Sequence, residues 1–243
     1  MENGPTQSLQ HKVEYRNPEI AGLESDAVLL VEKLKEKIDA NFYNLLVSDE
    51  TGGRLPTLLI KAIIKKRHPN TRVDILFLNG GKMLRQLIDD RKPEEEQSFV
   101  DYIKFTTKEN QTALVVTQVM RSGESLAIMA SMLKQSGCKH VDVATIRSGF
   151  KDKPIYQKDI DKLRDSEIFI GRKYAYTDEF DDKNNVLSGV TKVKNFVVHP
   201  HTTASLLKGD NDESRVELQK TINGAREDIN KMAESIYKKV WQE

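Results

Sequence analysis

The chain has 243 residues, of which 38% are hydrophobic and 31% charged, and it is long enough for one large domain or for a compact domain with appendages. The chain has 38 lysines and arginines and 37 aspartates and glutamates. It therefore lacks the net positive charge through which proteins attract nucleic acid or anionic membranes. The single cysteine, Cys138, excludes an intrachain disulfide and a cysteine-built zinc site and fits a reducing compartment. Residues 1–17 lack the apolar core of a secretory signal, and no later run reaches the roughly 20 apolar residues that span a bilayer. We therefore expect a cytoplasmic protein that has neither nucleic acid nor membrane as a partner.

Helical and strand-like patterns alternate from residue 24 onward. Apolar residues at helical spacing predict a helix from Glu24 to near Asn41, and Pro56 opens a second helix that ends in basic residues. Short apolar runs predict four buried strands, at 43–47, 73–78, 113–116 and 141–146. A helix is predicted at 126–135, between the third and fourth strands. This order predicts an α/β fold in which a parallel sheet is covered by helices on both faces.

The other stretches are less regular. Their patterns predict a short helix at 84–88, a solvated and mobile charged stretch at 89–96, an exposed strand at 99–105, and short strands at 167–170 and 196–199. An amphipathic helix closes the chain at 212–241, and it can either pack on the hood or pair with a second copy in a homodimer. We expect a flexible N-terminal segment at 1–20 and one domain at 21–243, with its core at about 24–150 and 165–200 and a hood at about 150–205.

Two turns that follow predicted strands carry residues suited to anions, at the edge of a parallel sheet where ligands bind. In the first turn, the paired glycines of Gly52–Gly53 let backbone amides approach an anion, and Arg54 adds a charged fork. The second turn, at 117–126, places Ser122 and Ser125 around a glycine at a helix N-terminus, where amides and hydroxyls can enclose a phosphate. Each pattern alone also fits a plain turn or an N-cap. Together they suit a ligand that has two separated phosphate groups.

The stretch 113–144 resembles the phosphoribosyl diphosphate (PRPP) motif of type I phosphoribosyltransferases, through its strand, its Ser122–Leu126 loop, its helix and the next strand. The resemblance implies that the 5-phosphate is bound by Arg121, Ser122, Gly123, Glu124 and Ser125. Gly52–Pro56 is similar to the family's Gly-Gly-x-x-Pro turn, which implies pyrophosphate binding by Thr51, Gly52, Gly53 and Arg54. The resemblance spans about residues 24–200 and implies a phosphoribosyltransferase-like fold with a hood. It also implies Mg²⁺-dependent transfer of phosphoribosyl to a base in nucleotide metabolism.

The sequence departs from the family directly after the third predicted strand. Family enzymes usually carry an acidic pair there, which binds the ribose hydroxyls and supports the cationic ribose of the transition state, whereas this chain has Thr117 and Gln118. These two side chains can still hydrogen-bond the ribose diol, but losing electrostatic stabilisers typically costs orders of magnitude in rate. Asp49 and Glu50 would repel a polyanion unless they hold Mg²⁺ or point away. Two hypotheses follow: a transferase that uses PRPP, and an inactive relative that senses a nucleotide or serves as an interaction module. A third possibility, a different α/β enzyme with a nucleotide site, would be favoured if residues 121–125 lay far from 52–54.

Four further groups have both a chemical and a plain interpretation. His199 and His201 would share one face of a strand as a metal pair, but Pro200 breaks the strand and no third ligand is evident. Cys138 fits a buried inert thiol better than a nucleophile. Residues 79–82 fit either a phosphate contact or a turn, and the acidic residues at 178–182 fit a solvated loop better than a cation site. We therefore expect no metal site built from protein side chains, and a phosphorylated sugar or nucleotide as the ligand.

Overall fold

The computed structural model of the chain describes residues 13–49, 52–78, 93–149, 163, 165–174, 187, 190–192, 204–206 and 212–242. Several predicted features lie outside these ranges: the helix at 84–88, the strand at 196–199, the pair His199 and His201, residues 79–82 and the acidic stretch at 178–182. No helix in the described ranges is long and apolar enough to cross a membrane.

Five parallel strands form the main sheet, in the order β2-β1-β3-β4-β5. Their bounds are β1 Leu45–Asp49, β2 Asp74–Leu78, β3 Thr112–Met120, β4 His140–Ser148 and β5 Ile168–Lys173. A separate antiparallel pair consists of β6 Val190–Lys192 and β7 Ala204–Leu206. Every strand of the main sheet overlaps a run predicted from the sequence, although β3 and β4 extend further than their apolar runs.

Helices cover both faces of the main sheet. Their bounds are α1 Pro18–Ala21, α2 Glu24–Asp39, α3 Arg54–Arg67, α4 Pro93–Thr106, α5 Glu124–Gln135 and α6 Asp212–Trp241. Buried residues of α2, α3 and α6 form one hydrophobic cluster with the sheet, and those of α4 and α5 form a second cluster. The predicted fold class, α/β with a parallel sheet and helices on both faces, is confirmed.

The helix predicted from Glu24 is α2, and its burial explains why the spacing was informative. Its buried apolar residues recur three and four positions apart, at Ala27, Leu30, Val31, Leu34 and Ile38. The same logic holds for the closing helix, α6, which packs its apolar face into the cluster shared with α2 and α3. In the described part of the chain, the closing helix therefore packs on α2 and α3. Its packing on the hood and its pairing in a homodimer stay predictions.

The prediction of an exposed strand at 99–105 is wrong, because these residues form the last turns of α4. Phe99, Val100 and Ile103 are buried together, and their spacing of one, three and four residues fits one face of a helix. Phe105 is 89% exposed, and its apolar character produced the apparent strand-like alternation. The charged stretch at 89–96 overlaps α4, which begins at Pro93, and its solvation and mobility stay a prediction.

Residues 13–17, which precede α1, lie against α6. The buried carboxylate of Asp228 accepts hydrogen bonds from the backbone N–H of Arg16 at 3.1 Å, the backbone N–H of Asn17 at 2.9 Å and the side-chain amide of Asn17 at 2.7 Å. These residues belong to the segment 1–20, and residues 1–12 lie outside the described ranges. The division of the chain into an N-terminal segment, a core and a hood stays a prediction.

Candidate functional site

The strand order places a topological switch point between β1 and β3. From β1 the chain continues into α3, which lies on the face with α2 and α6, whereas from β3 it continues into α5 on the opposite face. The turns after these two neighbouring strands therefore diverge at the carboxyl edge of the sheet, and in open α/β folds ligands bind in the crevice expected at such a switch point. Both turns that the sequence singled out lie at this edge.

The turn after β1 leads through Gly52 and Gly53 into the first turn of α3, where the backbone N–H of Thr57 donates to the carbonyl oxygen of Gly53 at 3.0 Å. The guanidinium of Arg54 lies over the ring of Phe77 in β2, 4.2 Å from its centroid, an arrangement that favours a cation. The guanidinium of Arg54, at the start of α3, is therefore positioned by the ring of Phe77 in β2. Thr51 and Glu50 lie outside the described residues, and so does the side chain of Asp49.

The turn after β3 is shorter than the sequence indicated. The predicted turn began at Thr117, but β3 continues to Met120, where it still pairs with Ser148 of β4, and the loop occupies only 121–123. The strand continues because β4 is equally long and pairs with it, and because the backbone N–H of Gly149 donates to the carbonyl oxygen of Met120 at 3.1 Å. The apolar residues at 119–120 were the sequence signal for this extension.

The extension of β3 staggers the two turns along the sheet. Ser48 pairs with Val116, so the end of β1 is level with Thr117 and the end of β3 lies three residues further. At about 3.3 Å per residue, the loop at 121–123 stands roughly 10 Å beyond the end of β1. The two turns therefore flank the same crevice at different heights.

Gly123 has a φ of +82° and stands at the N-cap of α5. Only glycine adopts this left-handed conformation at little cost, and it turns the chain from β3 into the helix. Ser122 is therefore not the N-cap, and α5 has no side-chain cap hydrogen bond. The backbone N–H of Glu124 donates to the hydroxyl of Ser122 at 3.4 Å, which is a long hydrogen bond. Helix geometry leaves the amides of 124–126 without intrahelical acceptors, which makes this end suited to an anion.

The side chains in this loop differ in exposure. Arg121 is exposed, and Ser122, Glu124 and Ser125 are half-buried, whereas Gly123 is buried. The phosphate-binding residues predicted from the sequence therefore form one contiguous turn and helix start.

Thr117 and Gln118 lie within β3 rather than in the loop. Thr117 is 7% exposed, and Gln118 is half-buried. The hydroxyl of Thr145, the partner of Thr117 on β4, donates to the carbonyl oxygen of Arg147 at 2.7 Å and lies 3.4 Å from that of Gln118. The neutral pair is thus built into the sheet at the level where β1 ends.

A buried charge cluster beside the site was missed by sequence reasoning. The carboxylate of Asp26, at the start of α2 and fully buried, accepts from the Nε atoms of Arg147 at 2.6 Å and of Arg172 at 2.9 Å, and from the hydroxyl of Tyr174 at 2.8 Å. The cluster ties the carboxyl ends of β4 and β5 to α2. Gly171 allows this approach, because a Cβ atom there would overlap the backbone oxygens of Asp26 and Ile146.

The remaining candidates from the sequence are a metal site and the thiol of Cys138. In the portion of the chain that the structure describes, no group of three or more histidine, cysteine, aspartate or glutamate side chains is placed to hold a metal ion. Cys138 is buried, and this burial raises the pKa of its thiol, which agrees with an inert cysteine.

Comparisons with known proteins were made by sequence and by structure. No protein-family model matches the chain, and no curated protein matches it. Among solved structures, the chain is similar to the crystal structure of a hypoxanthine phosphoribosyltransferase from Staphylococcus aureus, at 14% identity and a TM-score of 0.35, over 65% of this chain and 77% of that one. The fold class follows from the chain's own strand order and helix placement.

Proposed function

We propose that the chain binds a phosphorylated ribose, either PRPP or a nucleoside 5′-phosphate, in the crevice between the turns after β1 and β3. The observation that carries the proposal is the pairing of these turns across the switch point, with a left-handed glycine at the N-terminus of the 12-residue helix α5. A helix N-terminus at a switch point attracts phosphate through oriented amides and the helix dipole.

Each part of the ligand has a proposed set of residues. The loop and first turn of α5, residues 121–125, would hold the 5-phosphate. The turn at 51–54 would hold the pyrophosphate or another anion, with Arg54 positioned on Phe77. Thr117 and Gln118, one buried and one half-buried in β3, would hydrogen-bond the ribose hydroxyls.

Two activities remain as alternatives within this proposal. In the first, the chain is a transferase that exchanges pyrophosphate for a base and uses Mg²⁺. Among the described residues no group of three or more histidine, cysteine, aspartate or glutamate side chains is placed to hold the metal, and the carboxylates of Asp49 and Glu50 lie outside the part of the chain that the structure describes. In the second, the chain is a catalytically silent nucleotide sensor or interaction module, and the neutral pair Thr117–Gln118 favours it. Glycosyl transfer passes through a cationic ribose, which nearby carboxylates stabilise and neutral side chains do not.

Isothermal titration calorimetry separates these activities. PRPP with Mg²⁺ is titrated first, followed by nucleoside monophosphates, and pyrophosphate release is measured after a base is added. Binding with release supports the transferase, and binding without release supports the sensor. If neither PRPP nor a nucleoside monophosphate binds, the proposed ligand class is wrong.

The Gln118→Glu variant tests the role of the neutral pair. Gln118 is half-buried whereas Thr117 is buried, so a carboxylate at 118 carries the smaller burial cost. We expect Q118E to bind PRPP more tightly in the presence of Mg²⁺ than in its absence, or to gain turnover. Unchanged binding and turnover would indicate that the pair does not set the activity of the site.

A further inference from the structure

Three buried serine and threonine hydroxyls in the described ranges have no hydrogen-bond partner: Thr57, Ser148 and Ser166. A buried polar group without a partner costs about 1–3 kcal/mol, so such groups are rare in folded proteins and invite an explanation. Thr57 lies in the first turn of α3, and Ser148 is the last residue of β4. Both are therefore at the carboxyl edge of the sheet. Ser166, which precedes β5, lies at the opposite edge.

Ser148 is placed beside the loop at 121–123. It pairs with Met120, the residue that directly precedes the loop, and it is 0% exposed. Residues paired across neighbouring parallel strands project from the same face of the sheet. The Sδ atom of Met120 lies 3.6 Å from the position that a Cβ atom of Gly123 would occupy, so this face is the one on which the loop turns into α5. The side chain of Ser148 therefore projects toward the N-terminus of α5.

The backbone of Ser148 is held firmly. The neighbouring residue, Arg147, is fixed by the buried carboxylate of Asp26. The carbonyl oxygen of Ser148 accepts a hydrogen bond from the backbone N–H of Tyr174 at 2.8 Å. A donor that is fixed before a ligand arrives loses little entropy on binding. The unpartnered hydroxyl is thus positioned in advance rather than left over from loose packing.

We propose that Ser148 is a further phosphate-binding residue, whose hydroxyl donates to a phosphate oxygen held by the loop at 121–123 and the first turn of α5. This inference rests on the proposed function, and it adds a donor from β4 to the amides of α5. The bound phosphate oxygen supplies the acceptor that the Ser148 hydroxyl lacks within the described residues. Hydrogen bonds to a charged acceptor are about twice as strong as those between neutral groups.

The test compares the Ser148→Ala variant with the Ser166→Ala variant, because both remove a buried unpartnered hydroxyl but from opposite edges of the sheet. The probe is ribose 5-phosphate, titrated by calorimetry into each full-length variant. We expect S148A to weaken binding by about five- to tenfold and S166A to leave it unchanged, within about twofold. Chemical denaturation of the free proteins is expected to show both variants at least as stable as the wild type, since neither loses a hydrogen bond.

The possible outcomes separate this inference from the function on which it rests. If the wild type binds ribose 5-phosphate and S148A binds it equally well, the role of Ser148 is wrong and the proposed function stands. If S166A weakens binding as much as S148A, or if S148A is less stable than the wild type, the hydroxyl has a structural role and the inference is overturned. If the wild type binds ribose 5-phosphate, PRPP and nucleoside monophosphates not at all, the proposed function and this inference fail together.

Discussion

Replacing Gly123 by alanine tests whether the loop before α5 binds phosphate through its backbone. The φ of +82° costs an L-residue about 1–2 kcal/mol, and the stiffer unfolded chain of alanine offsets about 0.4–1 kcal/mol of this. A Cβ atom would meet the Sδ atom of Met120 at 3.6 Å, an ordinary contact, so no clash adds to the strain. We therefore expect Gly123→Ala to lower the free energy of unfolding by about 1 kcal/mol.

The same variant is expected to weaken binding of ribose 5-phosphate at least about tenfold, which corresponds to about 1.4 kcal/mol. The reason is that the loop relieves its strain by rotating, and this turns the amides of 124–126 away from the phosphate. Gly123→Asn should recover part of both losses, since asparagine tolerates the left-handed region better than alanine.

Gly137→Ala provides a matched control. Gly137 follows α5, has a φ of +99° and has nothing within 4 Å of its Cβ position, so alanine there imposes backbone strain without touching the loop. Urea denaturation should show a similar loss of stability for both alanine variants, and calorimetry should show weaker binding only for Gly123→Ala. Full affinity in Gly123→Ala, or an equal loss in Gly137→Ala, would refute a backbone phosphate site at this loop.

Two further predictions concern the framework around the site. Asp26→Asn removes the buried countercharge of two arginines and should lower the free energy of unfolding, measured by urea denaturation, by about 3–5 kcal/mol. Arg72→Ala breaks an exposed ion pair and should lower it by less than about 1 kcal/mol. Similar losses in the two variants would contradict this account. Burial alone would raise the pKa of Glu24 and of Asp39, but hydrogen bonds from α6 and basic side chains hold both below their ordinary values, and Lys66 lowers the pKa of Glu234. These carboxyl groups bind fewer protons in the folded protein than in the unfolded chain, so the free energy of unfolding should fall as the pH drops below about 4.5. Glu24→Gln should reduce this pH dependence in denaturation curves measured between pH 6 and pH 3.

The sheet and most of its helices could be predicted because they depend on local patterns. A helix such as α2 buries residues three and four positions apart, and the buried strands of a parallel sheet are continuous apolar runs. The helix α4 was missed because only its last turns are apolar enough to read, and the exposed Phe105 imitates strand alternation. The end of β3 was predicted too early, because the apolar residues at 119–120 are a weak signal and the end depends on how far β4 runs beside it.

The residues of the loop at 121–123 are visible in the sequence because glycine and serine at a helix start are a local signal. Ser148 and Asp26 are not visible in this way, because one acquires its meaning from pairing with Met120 and the other from arginines more than a hundred residues away. A serine at the end of a strand looks like any other serine until the partner strand is known. Sequence reasoning therefore finds the residues of the proposed phosphate site that lie on one turn and misses a residue that a neighbouring strand would contribute.

The neutral pair in β3 separates binding from catalysis in physical terms. Phosphate binding depends on amides, hydroxyls and cations, and residues 121–125, the loop at 121–123 and the start of α5, carry all three. Thr117 and Gln118 are not needed for this. Stabilising a cationic ribose depends on negative charge near the sugar, and the positions where the resembling family carries it hold a threonine and a glutamine here. A chain that keeps the first set and lacks the second is expected to retain affinity for a ribose phosphate while losing transfer. If Q118E fails to raise either Mg²⁺-dependent binding or turnover while the wild type binds nucleoside monophosphates, the site is better understood as a nucleotide sensor than as an impaired enzyme.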